Sequence, residues 1–428
     1  MSISTPLRSL GPLPSSQAKA ARISLDQSSW VLGWVFSVIC LCGLMLNERL
    51  GTTAIIIFLG GWVPIAIMRP QAMIRGLGQD APMLLLPMLA LLSTLWSRAP
   101  DWTAWAGTEF LGTTIVGLTL ANCVPYRSLL SALLCVLTIM GVASYLDGSV
   151  NQVGLTGEIA LVGLYGSKNA FALSAAVLTL VSSICLMQKE NPPYLRFASI
   201  LTALFSFVLL YLAKSIGAAV IALGAFLFIV LTKYLTTRRI GLRKLLIGVL
   251  MLGIILAIGL IGTVGIGDIL RVVGKDPTLT GRTILWEAAS RQITQHPILG
   301  IGYQAFWQKG FPPAEALWTM MHIPIRAGFH FHNLYYHTLV DLGLVGLLLL
   351  IALLLRLAYW SVKLVMTSIN DKSFFALGCF VFLLARSPLE VDLTFQFDLG
   401  TILFCLAWSY LRQANMPQQF ATPKEARG

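Results

Sequence analysis

The chain has 428 residues, 57% of them hydrophobic and only 11% charged, with a formal net charge of +12. That balance excludes a soluble globular domain, and repeated apolar stretches of about 17–25 residues predict an all-α polytopic membrane protein. The positive excess then belongs to loop lysines and arginines that set orientation in the bilayer, and no nucleic-acid partner is called for. The seven cysteines lie almost entirely in apolar segments and show no CxxC or CxxxH spacing. Neither a disulfide framework nor a metal site is expected from them.

In chain order, residues 1–29 carry Arg8, Lys19 and Arg22 and lack the apolar core of a signal peptide, so a disordered tail is expected there. Residues 30–265 read as nine spans, near 30–47, 52–68, 81–97, 104–122, 128–146, 169–187, 196–213, 215–236 and 244–265. A long loop follows at 266–336, then three spans within 337–411 (near 337–360, 374–390 and 397–411) and a tail at 412–428. The expectation is thus about twelve transmembrane helices and one large loop.

Positive charge accumulates in alternate connections. Arg69, Arg75, Arg127, Lys189, Arg196, Lys233, Arg238, Arg239, Arg243, Lys244, Arg356, Lys363 and Lys372 fall on one side together with both termini. The other side holds single charges such as Arg49, Arg98, Lys168 and Lys214 outside the long loop. Both termini are therefore expected in the cytoplasm and the loop outside it.

A loop of this length is rarely without function. It contains Thr278-Leu279-Thr280-Gly281-Arg282, and a helix is predicted from about 282 to 296, ending before Pro297. Leu285, Ala289 and Ile293 give that helix one apolar face. Gly300-Ile301-Gly302 is a turn with no third glycine, which argues against a dinucleotide loop. Trp307 and Trp318 suggest seating at the membrane interface. The loop ends in His330-Phe331-His332-Asn333-Leu334-Tyr335-Tyr336-His337, from which an apolar helix runs through Gly343 and Gly346, glycines that suit close helix packing.

The candidate site residues on the outer side are His332, His330, Asn333, Arg282, Lys168, Lys214 and Arg386. Arg282 opens a helix, where backbone N–H groups already favour an anion. Arg386 lies in an apolar segment, where a charge costs at least about 2.5–3.5 kcal/mol and a functional cavity is the default explanation. Plainer readings stand beside these: the lysines can snorkel to the interface, Arg386 can pair with Glu390 one turn on, and His332 can simply cap the helix. A metal held by His330 and His332 lacks a carboxylate at suitable spacing. Together, cations and a histidine on one face suit a ligand with phosphate and a lipid tail. An uncharged imidazole takes a proton from a hydroxyl, and cations on a diphosphate stabilise it as a leaving group.

These residues resemble the O-antigen ligase and repeat-unit polymerase (Wzy-type) superfamily of bacterial envelope glycosyltransferases. His332-Asn333, nine residues, Gly343, two residues, Gly346 fits its H-[NSQ]-x9-G-x-x-G signature without a gap. Thr280 to Trp286 and Pro297-x-x-Gly300-x-Gly302-x-x-x-Phe306 look like the preceding loop of exopolysaccharide polymerases. Gly166 to Ala170 and Lys214-Ser215-x-Gly217 look like two weaker upstream blocks. The resemblance covers roughly residues 160–400. It implies a GT-C-like fold, an undecaprenyl-pyrophosphate-linked oligosaccharide as donor, and inverting transfer that needs neither metal nor cofactor. It also implies His332 as general base, Arg282 as diphosphate ligand, and a flippase and chain-length regulator as companions. Lysine at 214 replaces a usual arginine, leaving a point charge for a bidentate fork. Polymerase is the expected activity, with ligation to lipid A-core as the alternative. A transporter predicts inverted repeats and interrupted spans in both halves, which the sequence does not display.

Overall fold

The computed structural model describes residues 15–416, apart from 154–157, 189, 237–239, 242–243, 245–280, 322, 324–325, 327–328 and 368–369. All but the first residue of the expected ninth span falls outside these residues, as do the start of the long loop and most of the C-terminal tail.

The first helix, α1 (Ser15–Met45), begins well upstream of residue 30, inside the stretch expected to be disordered. α2 (Thr52–Met68) and α3 (Pro70–Gln79) meet at a bend of 102°. Proline opens α3, α5 (Pro100–Cys123) and α8 (Pro193–Leu212), positions where its missing N–H costs nothing. Between α3 and α5 lies the short apolar helix α4 (Leu85–Leu92). α6 (Tyr126–Asp147) leads into an antiparallel hairpin, β1 (Val150–Val153) with β2 (Glu158–Leu161), the one departure from all-α structure among the described residues. α7 (Lys168–Met187), α8 and α9 (Ile216–Thr236) precede the loop. The loop contributes α10 (Arg282–Gln295) and α11 (Pro312–Met320), and α12 (Leu334–Met366), α13 (Asp371–Arg386) and α14 (Leu399–Asn415) complete the chain.

Among the described residues, five helices are long and apolar enough to cross a bilayer, or six if the bent pair counts as one span. This is a polytopic helical membrane protein. The twelve spans expected from sequence exceed that number: α13 and α14 are shorter, and α5 carries Glu109 and several threonines. α7 is the central element, with 83% of its apolar stretch buried, against 22% for α8 and 28% for α9 at the periphery.

Polar contacts at the helix ends fall into two separate sets. At one end Asp80 accepts from Arg412, Asn122 and Ser409, Arg69 donates to the Cys123 carbonyl, and Tyr126 to that of Asp371. At the other, Arg49 pairs with Asp147, Trp96 and Arg98 hold the carbonyls of Leu299 and Ile301, and Arg282 reaches Leu389.

Candidate active site

The loop has a hydrophobic core of its own, built from Leu285 and Ala289 of α10, Phe306, Trp307, Trp318, Phe331 and Val340. Trp307 and Trp318 are buried in it, so the interfacial seating expected for them does not occur; other aromatic rings surround them. The apolar face predicted for α10 turns inward here and leaves Arg282 partly buried at its N-terminal end. Arg291 sits on the opposite surface with Glu287.

α12 is broken at Gly343, whose φ of 62° and ψ of −160° belong to a region open essentially to glycine alone. An intact helix would bond Leu344 N–H to the Val340 carbonyl and Val345 N–H to that of Asp341. Instead Leu344 and Val345 donate to Pro297 and Ile298, while the Val340 and Asp341 carbonyls accept from Ile301 and Gly302, all at 2.9–3.2 Å. The loop thus satisfies the four backbone groups that the break orphans. The close approach explains one glycine of each motif: a Cβ on Gly343 would stand 2.3 Å from the Ile298 carbonyl, and one on Gly300 2.5 Å from that of Asp341. Gly343 was expected to pack against another span. Its neighbour is loop main chain. The Asp341 carboxylate adds a bond from Gln304 N–H at 2.9 Å and lies 3.4 Å from His337 Nε2.

This clamp fixes the residues that precede α12. Asn333 is the N-cap: its side-chain oxygen accepts from the amides of Tyr335 and Tyr336 at 3.0 and 3.1 Å, and its amide donates to the Pro388 carbonyl at 3.1 Å. With both ends of the amide so engaged, Asn333 builds the site, where sequence expectation had it bind substrate. Leu334 N–H donates to the Ser387 carbonyl at 2.9 Å, and the Tyr335 and Ser387 hydroxyls are 2.9 Å apart. The link after α13 is thereby stapled to the start of α12.

Arg386 ends α13, and its guanidinium forks onto Asp392, closing the buried link upon itself. It was expected either to face a ligand cavity or to pair with Glu390. It does neither, because Asp392 lies where the chain turns back and takes both nitrogens. Glu390 is left for other partners. Its Oε1 accepts from Arg282 Nη2 at 2.6 Å, and Arg282 Nη1 also donates to the Leu389 carbonyl at 2.6 Å. Its Oε2 lies 3.2 Å from His332 Nδ1 and 3.9 Å from His330 Nε2. Burial alone would raise the Glu390 carboxyl, but His332, Arg282 and His330 together outweigh it and hold the group well below the usual carboxylate range. Burial, then the neighbouring His332, push the His330 ring well below ordinary imidazole, against the pull of Glu390.

His332 has a φ of +48°, a left-handed conformation that costs a non-glycine residue roughly 1–2 kcal/mol. Its amide, donated to His330 Nδ1 at 3.1 Å, helps hold it there, with the two rings 4.1 Å apart. Beside them Trp286 stacks on Tyr336 and donates to the Phe331 carbonyl.

Nitrogen and oxygen atoms of His330, His332 and Glu390 all lie within 4.8 Å of one another, a spacing that a metal ion could bridge. The carboxylate missing near the histidines in sequence is supplied from a distant segment. The proton inventory opposes a resident cation, however. His330 Nδ1 accepts an amide proton, so the neutral ring carries its hydrogen on Nε2, the atom a metal would need. A ligating histidine ordinarily donates from its other nitrogen.

Lys214 has a φ of +51° at the hinge before α9, with its ammonium 5.1 Å above the Tyr211 ring. Gly217, one turn on, faces Leu389 across 3.9 Å from the position of an added Cβ, which sets this hinge on the rim of the site. Lys168 is the first residue of α7, after the cap Ser167 and beside the hairpin. Around Glu390 stand the Arg282 guanidinium and the His330 and His332 rings.

Residues 198–351 match a family model described as O-antigen ligase. The chain is also 28% identical over 361 residues to the exopolysaccharide production protein ExoQ of Rhizobium meliloti (strain 1021), covering 83% of this chain and 82% of that protein. The resemblance read from the motifs is therefore shown: the stretch holding Lys214, Arg282, His330 and His332 lies within an O-antigen ligase match, in a chain similar over most of its length to an exopolysaccharide production protein.

Proposed function

We propose that this protein is an exopolysaccharide repeat-unit polymerase of the bacterial plasma membrane. It transfers an oligosaccharide from undecaprenyl pyrophosphate to a hydroxyl of another lipid-linked repeat, with inversion and without a metal. The observation that carries this reading is the convergence of Arg282 and His332, distant in sequence, on the two oxygens of one carboxylate. A guanidinium for the diphosphate and an imidazole for the incoming alcohol thus share one small site.

In the reaction, His332 takes the proton of the acceptor hydroxyl as its oxygen bonds to the anomeric carbon of the donor. The bond from that carbon to the diphosphate oxygen breaks, and the electron pair leaves on the phosphate, where Arg282 spreads the charge. His330 lines the same pocket, and Lys214 adds a cation at its rim. Lys168 is assigned to a more distant part of the glycan or lipid. The site opens to the extracytoplasmic side, both termini are cytoplasmic, and the full chain has twelve spans in a GT-C-like arrangement. A flippase supplies substrate and a chain-length regulator acts on the product.

A second reading, ligation of a finished glycan to lipid A-core, is favoured by the description of the matched family. A deletion strain separates the two. Accumulated lipid-linked single repeats support the polymerase, complete polymer left unattached supports the ligase, and normal amounts of attached polymer contradict both.

A further inference from the structure

The geometry points to Glu390 as a positioning residue that sets the working tautomer of His332. This rests on the reading of His332 as the base. An ionised carboxylate is an acceptor only, so the contact from Glu390 Oε2 to His332 Nδ1 at 3.2 Å requires the hydrogen on Nδ1. The lone pair is then on Nε2, the nitrogen left for the acceptor hydroxyl. As Nε2 takes that proton, the ring becomes a cation beside a fixed anion, a relation that stabilises charge only once the reaction is under way.

Three features make the arrangement specific. Glu390 divides its oxygens, Oε1 to Arg282 and Oε2 to His332, so neither partner displaces the other. Its backbone is held on both sides, by Arg282 on the Leu389 carbonyl and by the Arg386 fork on Asp392. The left-handed backbone of His332 aims the ring at this carboxylate and is itself braced by His330. The charged and titratable groups around the ring are Glu390 from the link, Arg282 from α10, His330 from the same segment and His337 from α12. Only Glu390 among them carries negative charge onto it.

The test uses the purified full-length protein with lipid-linked repeats, comparing Glu390→Gln and Glu390→Asp with the parent from pH 5 to 9, normalised to folded protein. Glu390→Gln is expected to lower kcat by about 10²–10⁴-fold, to alter the donor KM much less, and to move the acidic limb of the pH–rate profile to lower pH. Glu390→Asp should recover part of kcat and restore the limb. A purely structural role would reduce folded protein and leave kcat and the profile of the remainder alone, which would overturn the assignment. A change confined to donor KM would also overturn it, placing the action of Glu390 on Arg282. His332→Ala run alongside tells the levels apart: activity there refutes the base itself, whereas an inactive His332→Ala with a normal Glu390→Gln refutes only this inference.

Discussion

At the scale of single residues, the site is a trade of protons and charges around one carboxylate. His330 is kept neutral by burial, whereas in the unfolded chain it protonates as pH falls through about 6.5; the folded protein therefore loses stability across that value. Glu390 has its carboxyl held low when folded, so its contribution is intact above about 4.5 and fades as pH drops further. His330 should accordingly make the melting temperature in detergent fall more steeply between pH 7.5 and 5.5 than the other groups alone would. His330→Gln should flatten that part of the curve. An identical slope in both proteins would contradict the buried neutral ring. His332 and Arg282 were legible from motif and position, because a helix start and a signature pattern are local features. Glu390 was visible only as an acid following Arg386, and its pairing was misread. The chain turns sharply at Pro388 and gives Arg386 to Asp392, a choice that helical spacing cannot express.

At the scale of elements, the link between the two glycine motifs is a backbone exchange. The Pro297 to Gly302 segment and the break in α12 complete each other's hydrogen bonds, which is why glycine is needed at 300 and 343, while Gly302 is packed against Ser97. Gly343→Ala meets both a forbidden backbone region and the Ile298 carbonyl. It should cost at least about 3 kcal/mol and remove activity by loosening the start of α12. Thermal unfolding checks this, and a variant with parental stability and activity would show the break to be dispensable. Sequence reading placed both motifs correctly and found α10 nearly to the residue. It assigned Gly343 to packing between spans, since x-x-x spacing of small residues carries no mark of whether the facing backbone is helix or loop. It likewise could not foresee that Trp307 and Trp318 enclose a core instead of meeting lipid.

At the scale of the whole molecule, the two sets of helix-end contacts match the two sets of connections separated by counting positive charge. Asp80, Arg412 and Asp371 gather where the lysines and arginines accumulate, and the His332 site lies at the other end. If the site is extracytoplasmic as proposed, a cysteine placed at exposed Ser290 should react with an impermeant thiol reagent in intact cells, and one at exposed Asp371 only after lysis. The reverse pattern would invert the proposed orientation. The all-helical membrane character was plain from composition. The count of twelve is not reached among the described residues, where α13 and α14 are shorter than a lipid-facing span and α5 is less apolar, their neighbours burying much of each.

The most direct measurement is a single-turnover assay with purified protein, a labelled lipid-linked donor and a lipid-linked acceptor, comparing the parent with His332→Ala. Donor binding should persist, through Arg282, while the glycosidic bond fails to form, with the rate down by at least about 10²-fold. Bond formation at the parental rate in folded His332→Ala would contradict the account at its centre.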